Sequence, residues 1–114
     1  PDVTAPTITS ASPADGATGV SRTANVTATF SEAMDATTIN TSTFELRDPA
    51  NAVVAAAVSY NATSRVATLN PSPTLAALTT YTAIIRGGAT DPRVKDLAGN
   101  PLAADAVWSF TTAN

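Results

Sequence analysis

From Ala24 to Phe30 the chain alternates apolar Ala24, Val26, Ala28 and Phe30 with polar Asn25, Thr27 and Thr29. A period of two puts every second side chain on one face of an extended strand, whereas a helix would scatter the same residues around its surface. No long stretch keeps apolar residues at the i, i+3, i+4, i+7 spacing of a helix. Short alternating runs recur instead, rich in Thr and Val, whose branched side chains suit a pleated surface. Turn-forming residues separate them, and the pattern predicts an all-β sandwich or barrel.

Seven strands are expected in chain order. The first is Thr7 to Ser10 with Ile8 inward, ending at the turn-rich Ser12-Pro13-Ala14-Asp15-Gly16, and the second is Ala24 to Phe30. Asp35 or Thr37 is placed to cap about one helical turn around Thr38 and Ile39. Phe44 and Leu46 form a short third strand before the turn Asp48-Pro49-Ala50-Asn51. Val53 to Tyr60 follows, with Val54, Ala56, Val58 and Tyr60 on one face. Arg65 to Asn70 turns Ala67 and Leu69 inward and Val66 outward, and Pro71 and Pro73, lacking an N–H, end it by Asn70. Thr80 to Arg86 buries Tyr81, Ala83 and Ile85, and Val107 to Thr112 buries Trp108 and Phe110. Between these last two strands lies a loop from Gly87 to Asp105, long enough to be functional or tightly self-packed.

At 114 residues the chain is expected to be one domain over residues 7–112, with a stiff polar linker at 1–6 and a short tail at 113–114. Net charge is −3, and the five arginines and Lys95 are scattered, so no basic field is available to draw in nucleic acid or anionic lipid. Direct membrane insertion is not expected from so interrupted an apolar pattern. The chain contains neither His nor Cys. A serine–histidine–aspartate triad, a thiol nucleophile and a histidine-ligated transition metal are thereby removed. The order of Glu32, Asp35, Glu45, Asp91, Asp96 and Asp105 suggests no catalytic carboxylate pair. The reading is of a non-enzyme with no catalytic, cofactor-binding or metal-ligating residue assigned and no cofactor.

Seven short antiparallel strands in this length suit the immunoglobulin and fibronectin type III sandwiches. Tyr81 after Leu78-Thr79-Thr80 stands where a tyrosine corner ties the preceding loop back to the sheet. Four ordered motifs add to this: Ser12-Pro13-Ala14-Asp15-Gly16-Ala17-Thr18-Gly19-Val20, Phe30-Ser31-Glu32-Ala33-Met34-Asp35, Asp96-Leu97-Ala98-Gly99-Asn100-Pro101-Leu102 and Trp108-Ser109-Phe110-Thr111-Thr112. In these the sequence resembles the bacterial Ig-like domains found as repeats in S-layer proteins, adhesins and multidomain secreted enzymes. Each motif also has a physical task. Gly16, Gly19 and Gly99 suit sharp turns at positive φ, and Leu97 and Leu102 are expected to plug one end of the sandwich.

The resemblance implies an extracellular or cell-surface spacer repeat, monomeric in isolation, whose partners are neighbouring domains of the same chain. Alternatives are an adhesion module for a surface protein or glycan, and an accessory domain of a secreted enzyme. For a sugar site Tyr60 is the one aromatic expected to be exposed, because the others fall on core faces. Calcium is conceivable at Asp91, Asp96, Asn100 and Asp105, although the spacing matches no EF-hand. The competing expectation is that Asp96 and Asn100 bond their own backbone and hold the turn at Gly99. The triplets beginning at Asn25, Asn40 and Asn61 match the N-glycosylation pattern, as chance allows in a Thr-rich chain.

Overall fold

The computed structural model describes residues 5–114, so the first four residues of the expected linker lie outside the described residues. Eight strands form two four-stranded sheets, and among the described residues the one helical element is a single 3-10 turn at Ala36–Thr38. The strands are β1 (Ile8–Ser12), β2 (Ala17–Val20), β3 (Val26–Phe30), β4 (Phe44–Arg47), β5 (Ala56–Asn61), β6 (Val66–Pro71), β7 (Thr80–Ile85) and β8 (Ala106–Thr112). One sheet has the order β1-β3-β6-β5, the other β2-β8-β7-β4.

The inward faces meet as the alternation predicts. Val26, Ala28 and Phe30 of β3 and Ala67 and Leu69 of β6 pack toward Phe44 and Leu46 of β4, Tyr81, Ala83 and Ile85 of β7, and Trp108 and Phe110 of β8, all buried. Phe44 lies 6.4 Å from Trp108, and Tyr81 stacks on Phe110 at 6.2 Å between ring centroids. Val66, expected outside, is half-buried.

The expected end by Asn70 is passed by one residue, since Pro71 closes β6 opposite Ala56 and the next N–H, that of Ser72, donates to Ala55 O at 2.8 Å. Two larger departures from the expected strands have one cause, a chain that changes sheets. The Pro- and Gly-rich segment after Ser12 does not reverse direction. It steps across to the other sheet and continues as β2, an eighth strand that pairs parallel to β8. Gly16 and Gly19 make the step with φ of +81° and +65°, and the lack of alternation in Ala17-Thr18-Gly19-Val20 hid it. The second departure is at Val53. The expected strand Val53 to Tyr60 is split: Val53 forms a bridge with Arg47 beside β4, and only from Ala56 does the chain pair with β6. Apolar alternation runs through both halves, but the backbone partners lie in different sheets.

Strand directions define two poles. At the N-terminal pole, Ser31 N–H donates to Thr7 O at 2.8 Å, and the connections after β3, β5 and β7 gather there. At the opposite pole, Ala113 N–H donates to Val20 O at 2.8 Å and Leu78 N–H to Ala113 O at 3.1 Å.

Candidate functional site

The loop after β7 is not loose. Its middle folds back on itself: Val94 N–H donates to Arg86 O, Leu102 N–H to Val94 O and Gly88 N–H to Leu102 O, at 3.0, 3.1 and 2.8 Å. Val94 and Leu102 are buried and close the N-terminal pole. Leu102 does what the sequence suggests, but Leu97 does not: it is 73% exposed at the tip of the turn. Val94 takes the second core place, which its flanking charges Arg93 and Lys95 concealed. Gly87 is where the loop passes closest to its own return limb. A Cβ there would stand 2.6 Å from Ala104 O and 2.7 Å from Leu102 O.

Asp96 sits in the turn with 1% of its surface exposed. Its Oδ1 accepts the N–H groups of Ala98 at 2.9 Å and Asn100 at 2.8 Å, and its Oδ2 accepts Asn100 Nδ2 at 3.1 Å. Burial pushes its pKa up, but the Asn100 backbone and side chain, then the Glu32 side chain and Ala98, outweigh it and hold the carboxyl below its ordinary value. Gly99 takes φ +90° to complete the turn. The turn is then sewn to the segment after β3, with Met34 bridging Asp96 and Asp35 N–H donating to Lys95 O at 2.9 Å. Asp35 caps the 3-10 turn by accepting Thr37 N–H at 3.0 Å, and the Thr37 hydroxyl with that N–H lowers its pKa.

The other acids of the loop point to different partners. Asp91 Oδ1 meets Arg93 Nε at 2.9 Å and Lys95 Nζ at 3.3 Å, and these cations, Lys95 foremost, lower its pKa. Asp105 Oδ1 accepts Gly87 N–H at 2.8 Å. Among the described residues no group of three or more acidic side chains converges in a way that could hold a metal ion. Of the four candidate calcium ligands, Asp96 and Asn100 are brought together and bond each other, whereas Asp91 and Asp105 face other partners.

An ionic cluster that the sequence gives little sign of lies next to this loop. Glu45, 7% exposed on β4, accepts Arg86 Nη2 at 2.8 Å and Nε at 3.0 Å on Oε1, and Arg47 Nη2 at 2.7 Å on Oε2. Burial raises the Glu45 pKa, but the two guanidinium groups, Arg86 first, outweigh it and hold the carboxyl below its ordinary value. Arg86 is 41 residues away in sequence, and only the register of β4 with β7 brings the pair together. Glu45 and Arg86 edge an open concavity of about 540 Å³ that also reaches Gly87, Thr90, Asp91 and Asp105. Its charges are largely spent on one another. A smaller hollow of about 210 Å³ opens between β4 and β5 over Phe44, Val54, Ala56 and Leu69, at the side seam where the chain changes sheets.

Tyr60 is not the exposed platform expected from the sequence. Its ring meets Phe30 edge-on with centroids 6.4 Å apart, and its hydroxyl accepts the Met34 N–H at 2.9 Å. Among the described residues the exposed large apolar side chains are Val53, Leu78, Leu97 and Val107, none of them aromatic.

Two packed four-stranded sheets, a first strand that changes sheets, and a tyrosine hydroxyl tying the connection before β7 to the sheet define an immunoglobulin-like sandwich. The chain belongs to the bacterial Ig-like domain family, whose sequence profile it matches over residues 2–112. No curated protein is a significant match in sequence. Among solved structures, domains 1–6 of the surface layer protein SbsC share the fold with a TM-score of 0.68 and 19% identity, over 97% of this chain and 14% of that one. CopC from Methylosinus trichosporium OB3b gives a TM-score of 0.74 at 18% identity, covering 95% and 93% of the two chains. PcoC, a methionine-rich copper resistance protein from Escherichia coli, gives 0.73 at 18%, covering 96% and 99%. At these identities the likeness shows the fold alone, and the chain spans only 14% of that solved S-layer chain.

Proposed function

We propose that this domain is a non-catalytic spacer repeat of a bacterial cell-surface or secreted multidomain protein. The observation that carries the reading is the placement of the two ends of the fold. Thr7 is bonded beside the end of β3 at one pole, and Ala113 is bonded to the end of β2 at the other. Such a module lengthens a chain instead of folding it back. The molecule measures 49 × 26 × 22 Å along its principal axes, so each repeat adds length in proportion. Its partners are the neighbouring domains of its own chain.

The chemistry of the surface supports the same reading. The buried ions at Glu45 and Asp96 are neutralised or hydrogen-bonded within the fold, and the concavity beside Arg86 offers few free polar groups to a substrate. A copper-related role by analogy with PcoC finds little support. Soft copper sites draw on thioether, imidazole or thiolate ligands. This chain has no His, no Cys and one methionine, Met34, which is 2% exposed. A sugar-binding role lacks the aromatic platform that Tyr60 was expected to supply.

The test is the domain composition of the parent protein. Further copies of the Pro13-to-Val20 and Trp108-to-Thr112 motifs in the same chain are expected. A parent that consists of this domain alone would sink the proposal.

A further inference from the structure

The first and last parts of the fold lie side by side. Strand β2 runs from Ala17 to Val20 parallel to β8, with Ala17 opposite Phe110 and Val20 opposite Thr112. Backbone bonds close both ends of this contact: Gly16 N–H donates to Ser109 O at 2.7 Å and Ala113 N–H to Val20 O at 2.8 Å. A side chain adds a third link, since Asp15 Oδ1 accepts the Ser109 N–H at 3.1 Å. The β8 end is itself held. Thr112, 1% exposed, donates its N–H to Thr79 O at 3.0 Å, and its Oγ1 accepts the Thr79 N–H at 2.9 Å.

From this geometry we propose that the β2–β8 contact is a mechanical clamp, so that the domain resists tension applied between its two ends. The proposal rests on the spacer reading and says what kind of spacer it is. The direction of loading is decisive. The segment before β2 leads back to the N-terminal pole, and β8 leads out at the C-terminal pole. Tension therefore drags β2 toward one pole and β8 toward the other, along the strand axes. Two parallel strands pulled from opposite ends slide past each other, and every bond between them is strained at once. Strands peeled from one end lose their bonds one at a time, each at low force.

Among the described residues no other strand pair joins the two loaded ends directly. Strand β1 pairs with β3 and can slip off without lengthening the chain past Asp15, because the next residues are already held on β8. The clamp thus decides when the sandwich opens. Forced unfolding is governed by the unfolding rate and not by the equilibrium free energy, so bonds across this contact count for more under load than bonds of equal strength elsewhere.

The test is single-molecule pulling on a polyprotein of identical full-length copies joined end to end, compared with denaturant unfolding of the single domain. Wild type is expected to give a distinct rupture peak for each copy. Asp15→Ala, which removes the exposed acceptor of Ser109 N–H, is expected to lower the rupture force. Ala113→Pro, which removes the N–H given to Val20, is expected to do so as well and serves in place of Asp15→Ala should that variant not fold. Asp96→Asn lies away from the load path and is expected to lower the denaturation midpoint while leaving the rupture force unchanged. Gradual extension without a peak would overturn the clamp, and so would an equal loss of force in Asp96→Asn and the clamp variants. A parent protein with no neighbouring domains would sink the spacer reading and leave this measurement intact, whereas a failed clamp leaves a spacer that is merely compliant.

Discussion

The hydroxyl of Tyr81 accepts the backbone N–H of Ala76 at 2.9 Å, tying the connection between β6 and β7 to the strand it leads into. Tyr81 itself is 5% exposed and stacked on Phe110, so the hydroxyl has a rigid base. Tyr81→Phe keeps the ring and leaves Ala76 to water. Because Ala76 is exposed and water can reach it, a loss of about 1 kcal/mol is expected, at the modest end for a hydrogen bond. Urea denaturation at constant m-value measures it, and an unchanged midpoint would mean that the corner bond contributes nothing.

Gly87 permits a close backbone crossing. In Gly87→Ala the new methyl would face the carbonyl oxygens of Ala104 and Leu102 under 3 Å away, while Gly87 N–H is held by Asp105 Oδ1 and Gly88 N–H by Leu102 O. The loop must shift to admit it, at a cost of roughly 1–3 kcal/mol. Thermal melting would register the loss together with faster amide exchange at Gly88, whose N–H is held by Leu102 O.

Asp96 predicts an acid limb to the stability curve. Its folded pKa lies below the ordinary value of 3.8, so the unfolded chain takes up the proton first as pH falls. The stabilisation is whole above that ordinary value and drains away as pH drops through it toward the lower folded value. Asp96→Asn puts a donor opposite Asn100 Nδ2 and is expected to lose about 1–2 kcal/mol near neutral pH. The gap between wild type and variant should close below about pH 4, the ordinary carboxylate range. A gap that stays constant from neutral pH to pH 3 would contradict this account.

Calcium is expected to have no effect. The oxygens of Asp96 are taken by N–H donors, and those of Asp91 and Asp105 face Arg93, Lys95 and Gly87. Titration calorimetry should give no binding heat, and the melting temperature should be the same in chelator. Heat with a melting shift would require the loop to rearrange around a site that it does not present.

How much was legible in the sequence differs from one element to the next. Strand β3 and the buried faces of β6, β7 and β8 were readable because each side chain's place follows from a two-residue period along one strand. The turn at Asp96 was readable for a similar reason: an Asx side chain and a glycine at positive φ act on neighbours within four residues. Strand β2 was not, since Ala17-Thr18-Gly19-Val20 carries no alternation and is a strand only because β8 lies next to it. Nor was Tyr60, whose exposure depends on Phe30 and Met34.

The chain's own sequence therefore determined the sandwich class, the core faces of the alternating strands and the local turns, because these depend on periodicity and on short-range backbone bonding. The tertiary structure alone decided where the chain changes sheets, that Glu45 meets Arg86, that Val94 instead of Leu97 closes the pole, and that β2 lies against β8. Each of those is a contact between residues far apart in sequence. The pairing partner that creates it leaves no mark on the residues until the strands are in register.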